Sequence, residues 1–164
     1  MNKIRLIILI FVSTMQLSAQ DLRLCMGSSH DFGVPPVLNS KYFWTVSDTT
    51  IATITSLNTS EQIVVCLNDI GLFNIIVEEM DINGCVGYDS LLVEVIPVPS
   101  PNIFAIGPTD FCEDEEVLLR VDSIYPLMVW LSNGDTISII NEIIVDTTGS
   151  FYINVTDTNG CSAS

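Results

Sequence analysis

The sequence predicts an all-β protein of two tandem β-sandwiches, the second short of its last strand. Three observations carry this. Short runs rich in β-branched and aromatic residues recur along the chain, among them "KYFWTVS", "EQIVVCL", "LFNIIVEE" and "DSLLVEVIPV". Turn signals separate them at Asn83-Gly84, Asn133-Gly134, Gly149 and Asn159-Gly160. The third is an internal repeat: "VEEMDINGC" and "VTDTNGC" close two copies of one unit, and only the first copy continues into a further strand, "VGYDSLLVEVIPVP".

Each copy follows the same order. An opening cysteine (Cys25, Cys112) is followed by a central tryptophan (Trp44, Trp130). A Gly-x-Phe strand comes next (Gly71 to Phe73, Gly149 to Phe151), then an Asp-x-Asn-Gly-Cys close. Alternation of apolar residues, as in Val117, Leu119, Val121 and in Phe151, Ile153, Val155, suits strands with one buried and one wet face. No stretch holds a helical period. Trp44 and Trp130 are read as core anchors, because no other side chain buries as much apolar area. The linker "VIPVPSPN" carries three prolines, which cannot donate ladder hydrogen bonds and favour a stiff extended connection.

The N-terminus reads as an export signal. Lys3 and Arg5 precede the apolar run Leu6 to Val12, too short to span a bilayer, and Ala19 offers a cleavage point. The expected organisation is therefore a signal peptide 1–19, a first domain 20–97, a linker 98–102 and a second domain 103–164. No membrane insertion is expected after cleavage. About 145 residues remain, enough for two small domains.

The chain carries 20 acidic and five basic residues, a formal net charge of −15. Only Arg23, Lys41 and Arg120 stay basic after cleavage. Nucleic acid is excluded as a partner by that balance, since phosphates need cationic neutralisation. Export permits disulfides. The repeat pairs Cys25 with Cys85 and Cys112 with Cys161, each closing a loop of about 50 to 60 residues for roughly 4 kcal/mol. Cys66, in "IVVCL", matches Ile143 or Ile144 of the second copy and reads as a buried core thiol, with an intermolecular bond as the alternative.

Catalytic constellations are absent from the sequence. His30 is the sole histidine, no CxxC pair occurs, and neither a nucleophile elbow nor a phosphate loop is present. Cys66 with His30 has no supporting spacing as a nucleophilic pair. The acidic run Glu113 to Glu116 and the Asp81 and Asp157 stretches superficially resemble calcium loops, but lack a terminal bidentate glutamate and read as a solvated edge and hairpin turns. The chain is expected to be no enzyme and to need no cofactor or metal.

The second copy also carries a likeness. Gly107-Pro108-Thr109 with Cys112, then Trp130, Gly134 and Thr136, then Gly149, Tyr152 and "VTDTNGC" resemble the PKD-like and immunoglobulin-like repeats of secreted Bacteroidetes surface proteins. The hairpin is one residue longer here, and the first copy is the more divergent. The resemblance covers residues 107 to 164. It implies immunoglobulin-like or PKD-like sandwiches in a noncatalytic adhesion or spacer module. The expected address is periplasmic, cell-surface or extracellular, with a protein or surface glycan as partner. The alternative is an accessory subunit of an envelope secretion or gliding complex, binding a protein through the open sheet edge of domain 2. Such repeats often travel by the type IX system, whose C-terminal sorting domain is not seen here. The stop after Cys161 is accordingly read as a fragment of a longer repeat protein or as a strand supplied by a partner. Asp-Ser and Asp-Thr pairs are similar to the O-glycosylation signal of such exported proteins, making Thr49, Ser90, Ser123, Thr136 and Thr147 candidate acceptors.

Overall fold

The structure is a computed structural model that describes residues 9–10, 22–110, 112 and 115–164. Apart from Leu9 and Ile10, the signal-peptide reading lies outside the described residues, as do Glu113 and Asp114 of the acidic run. All described regular structure is β, and the chain divides into two compact units, through Pro97 and from Val98.

Unit 1 is a two-sheet sandwich. One sheet has the order β1 (Leu9–Ile10), β3 (Ser29–Gly33), β6 (Gln62–Leu67), β5 (Ala52–Ile54). The other has the order β2 (Leu22–Cys25), β8 (Val86–Ile96), β7 (Gly71–Met80), β4 (Lys41–Val46). All pairs are antiparallel except β2 with β8. That parallel pair seats β2 beside β8, the last strand of the unit. Strict alternation puts Phe73, Ile75 and Val77 of β7 inside, with Trp44, Val93 and Val95 beside them and Phe32, Ile63, Val65 and Leu67 opposite. At Gly71 the backbone has φ +146°, and an added Cβ would lie 2.7 Å from Ile51 Cδ1, so both conformation and space favour glycine there.

Unit 2 repeats the plan with fewer residues. One sheet runs β9 (Ile103–Ile106), β10 (Val117–Val121), β13 (Glu142–Val145); the other runs β12 (Asp135–Ser138), β11 (Leu127–Ser132), β14 (Phe151–Thr156), β15 (Ser162–Ala163). Asn133 and Gly134 both have positive φ, 52° and 90°, and Ser132 pairs with Asp135. This is a two-residue hairpin of the kind Asn-Gly favours. The core gathers Val117, Val121, Met128, Trp130, Ile143, Val145, Ile153 and Val155.

The tryptophans fix how the two copies correspond. Trp44 pairs with Val77, and Trp130 with Ile153. Each indole N–H donates to a carbonyl two residues ahead of the following strand: Trp44 Nε1 to Ser60 O and Trp130 Nε1 to Ile140 O, both 2.8 Å. Phe151 therefore corresponds to Ile75, not to Phe73 as the Gly-x-Phe alignment had it. The same register sets Cys66 against Asp146 rather than Ile143 or Ile144. Cys66 lies between Val65 and Leu67, both 0 % exposed, so its side chain points to the outer face of the sheet. It is a half-buried free thiol and not a core residue.

Candidate functional site

The Asp-x-Asn-Gly-Cys closes form the same loop twice. Asp81 Oδ1 accepts from the N–H of Asn83 and of Cys85, each at 2.8 Å, and Asp81 N donates to Cys85 O at 2.9 Å. Asp157 Oδ1 accepts from the N–H of Asn159 at 2.8 Å and of Cys161 at 2.9 Å, and Asp157 N donates to Cys161 O at 2.9 Å. Gly84 and Gly160 take φ of 81° and 85°, while neither preceding asparagine is left-handed. These are five-residue hairpin loops capped by an aspartate, not two-residue Asn-Gly turns. The N–H of Cys85 holds the Asp81 carboxyl below its ordinary value, against a smaller upward effect of burial and with the help of Asn83 and Gly84. At Asp157 burial works upward, and the N–H groups of Cys161, Asn159 and Gly160 together hold the carboxyl low. The calcium-like spelling is thus spent on backbone amides. Among the described residues no three or more His, Cys, Asp or Glu side chains converge.

The cysteines depart from the pairs expected from the repeat. Cys25 and Cys161 are in disulfide form, whereas Cys66, Cys85 and Cys112 are free thiols. The topology explains why Cys25 does not meet Cys85. Cys25 pairs with Ile96, at one end of the 11-residue β8. Cys85 immediately precedes Val86 at the other end, roughly 33 Å away at strand rise. A disulfide needs Cα atoms within about 7 Å. In unit 2, Cys112 leads towards Val117, at the end of the sandwich where Val117 pairs with Val145 and Phe151 opens β14. Cys161 follows the opposite end of β14. Thiol counting checks this: alkylation of the denatured, unreduced protein is expected to label three cysteines, rising to five after reduction. One label before reduction would restore the repeat-based pairs.

His30 and Cys66 are closer than sequence could show, yet not paired. β3 lies beside β6, with Ser29 opposite Cys66 and His30 opposite Val65. His30 shares the inner parity of Phe32, while Cys66 faces outward with Ser29. His30 Nε2 lies 2.9 Å from Ser28 Oγ, and burial lowers its pKa against a smaller opposing pull from Asp31.

Glu115 Oε2 accepts from Cys112 N at 2.8 Å, so this member of the acidic run caps its own turn. The five hydroxyls proposed as glycan acceptors, Thr49, Ser90, Ser123, Thr136 and Thr147, are all exposed. Asp48, ahead of Thr49, accepts from Thr50 N at 2.9 Å and from Thr50 Oγ1 at 2.6 Å, a local turn. Asp122, ahead of Ser123, accepts from the Asn102 side-chain amide at 2.9 Å and ties β9 to β10. Arg23 and Arg120 pair with Glu94 and Glu142 directly across their ladders.

One surface was not visible in the sequence. On the outer face of unit 1, Phe43, Glu78 and Tyr88 form one row across β4, β7 and β8. Phe43 is 49 % and Tyr88 67 % exposed, with Leu72 and Leu92 exposed on the same face. Glu78, as hydrogen-bond partner and negative charge, raises the Tyr88 pKa. In unit 2, β15 pairs only Val155 with Ala163 and Thr156 with Ser162. Among the described residues nothing pairs with the rest of that edge of β14.

Among solved structures the chain is similar to fibronectin(III)-like modules of Clostridium thermocellum CbhA, at 13% identity over 96% of this chain and 90% of that one, TM-score 0.45. It is also similar to the PKD domain of the KIAA 1837 protein, at 17% identity over 54% of this chain and 95% of that one, TM-score 0.41. A third is a Bacteroides ovatus mixed-linkage glucan utilization locus protein, SGBP-B, solved in complex with a mixed-linkage heptasaccharide. It matches at 14% identity over 94% of this chain and 45% of that one, TM-score 0.35. No family model matches the sequence, and no curated protein matches it. Strand order and register identify the chain as an all-β protein of two immunoglobulin-like sandwich units.

Proposed function

We propose that this chain is a noncatalytic exported module of the cell envelope or surface, acting in adhesion or as a spacer in the manner of Bacteroidetes PKD-like repeats. The signal peptide is taken as residues 1–19, followed by domains 20–97 and 103–164. The observation that carries the reading is the Phe43–Glu78–Tyr88 row, with Leu92 and Leu72 exposed further along the same sheet face. Apolar and aromatic side chains held on a rigid sheet, away from the core, are the usual make-up of a protein or glycan contact. Thr49 and Ser90 are the candidate glycan acceptors of unit 1, and Ser123, Thr136 and Thr147 those of unit 2, all five exposed. No helix among the described residues is long and apolar enough to cross a membrane.

Intact mass and protease accessibility of the tagged chain in envelope fractions of its own host test this. The expected species begins at Gln20, is digested in intact cells and carries sugar-sized increments. An uncleaved, protease-shielded chain in the cytosol would end the reading. A second reading, an accessory subunit that takes a protein partner through domain 2, is favoured by the exposed outer edge of β14.

A further inference from the structure

We propose that Asn133, at the tip of the β11–β12 hairpin, is a site of spontaneous deamidation and isoaspartate formation, and that its conversion loosens β12 from unit 2.

The chain contains three Asn-Gly pairs, at Asn83, Asn133 and Asn159. Asparagine before glycine is the reactive context, because no side chain shields the following backbone nitrogen. That nitrogen attacks the asparagine Cγ. The Cγ–Nδ2 bond breaks, and the displaced amide takes up the glycine N–H proton and leaves as ammonia. The product is a cyclic imide. Water then opens it at either carbonyl, adding hydroxyl to carbon and hydrogen to nitrogen. Opening at Cγ gives aspartate; opening at the main-chain carbonyl gives isoaspartate. Water is the one reactant the step consumes.

The fold treats the three pairs differently. In the two Asp-capped loops both reacting groups are held. Gly84 N donates to Asp81 O at 3.0 Å, and Gly160 N to Asp157 O at 3.2 Å. The amides that would leave are tethered as well, Asn83 Nδ2 to Asp81 Oδ2 at 3.5 Å and Asn159 Nδ2 to Asp157 Oδ2 at 3.4 Å. Each capping carboxylate sits beside the carbon where negative charge develops, and opposes it. Attack there requires the loop to open first. The hairpin tip has no such restraint. Asn133 and Gly134 are exposed, and among the described residues neither the Gly134 N–H nor the Asn133 side chain has a hydrogen-bond partner.

The same turn sets the consequence. Ser132 pairs with Asp135 across a two-residue loop whose positive φ values, 52° and 90°, match the twist of the strands. Isoaspartate adds a carbon to the main chain at that point and a new carboxylate beside Asp135. β12 is an edge strand whose one partner among the described strands is β11, and its ladder is already irregular between Trp130 and Leu131. Beyond β12 lies Ile140, whose carbonyl accepts from the Trp130 indole. A turn that no longer fits therefore loosens β12 and, with it, the segment carrying that acceptor.

The test incubates the purified whole chain in mildly alkaline buffer and follows it by peptide mapping, with electron-transfer fragmentation to tell isoaspartate from aspartate. Asn133 is expected to convert about tenfold or more faster than Asn83 and Asn159 while the chain is folded, and the three rates should draw together in denaturant. Asp81→Ala should raise the Asn83 rate and leave that of Asn133 unchanged. In the converted chain, amide exchange should quicken about tenfold or more in β12 and stay constant in unit 1. Asn133→Gly keeps a turn of the same class and should hold β12 protected through the same incubation. The proposal is overturned if folded Asn133 converts no faster than the other two, or if the rates differ as widely in denaturant. It is equally overturned if Asp81→Ala leaves Asn83 as slow as before, or if the Asn133→Gly chain loses β12 protection at the pace of the unaltered one.

Discussion

Trp130→Ala is expected to unfold unit 2 while unit 1 stays folded. Trp130 is fully buried, and its indole N–H satisfies the Ile140 carbonyl. Truncating a buried tryptophan costs about 3–5 kcal/mol. A domain of about 65 residues holds only roughly 3–10 kcal/mol in total. Unit 2 sits low in that range, because eight buried residues form its core against fourteen in unit 1 among the described residues, and most of one β14 edge is unpaired. NMR would read the outcome directly: amide dispersion should collapse for residues after Val98 and persist before Pro97. Preserved dispersion at Ile153 and Val155 would mean that the unit has more reserve than its core suggests. Trp130→Phe should cost less, since the ring volume is largely kept and the main loss is a bare Ile140 carbonyl, worth about 1–3 kcal/mol.

Trp44→Ala should remove a similar increment from unit 1 with a different result. Trp44 is equally buried and donates to Ser60 in the same way. Around it, however, β8 completes the sheet over ten paired positions with β7, and Phe32, Ile63, Val65 and Leu67 close the opposite side. Unit 1 is expected to remain folded at 25 °C with its melting midpoint lowered by roughly 15–30 °C. Calorimetry of the two variants side by side would check the contrast. Equal behaviour would show that the last strand contributes little to a unit's stability.

That contrast also separates what the residues announce from what the fold settles. The β class, the repeat and the two tryptophan anchors were legible, because strand patterning and turn chemistry are local. The alternation Val117, Leu119, Val121 is inward-facing as read. The register was not legible beyond the tryptophans. Gly71-Leu-Phe73 and Gly149-Ser-Phe151 look alike in letters, yet cross-strand pairing shifts them by two residues. The outward face of Cys66 likewise follows only from its neighbours Val65 and Leu67 being committed to the core.

By itself, the sequence determined the architecture and its acidic surface: two sandwiches, each built around a tryptophan. Tertiary structure alone decided which cysteines are bonded and which aromatic side chains share a row. The physical reason is that strand order and direction set these distances. Cys25 and Cys85 share a repeat pattern but stand at opposite ends of β8, and Phe43 and Tyr88, far apart in the chain, are brought into one row by a ladder through Glu78.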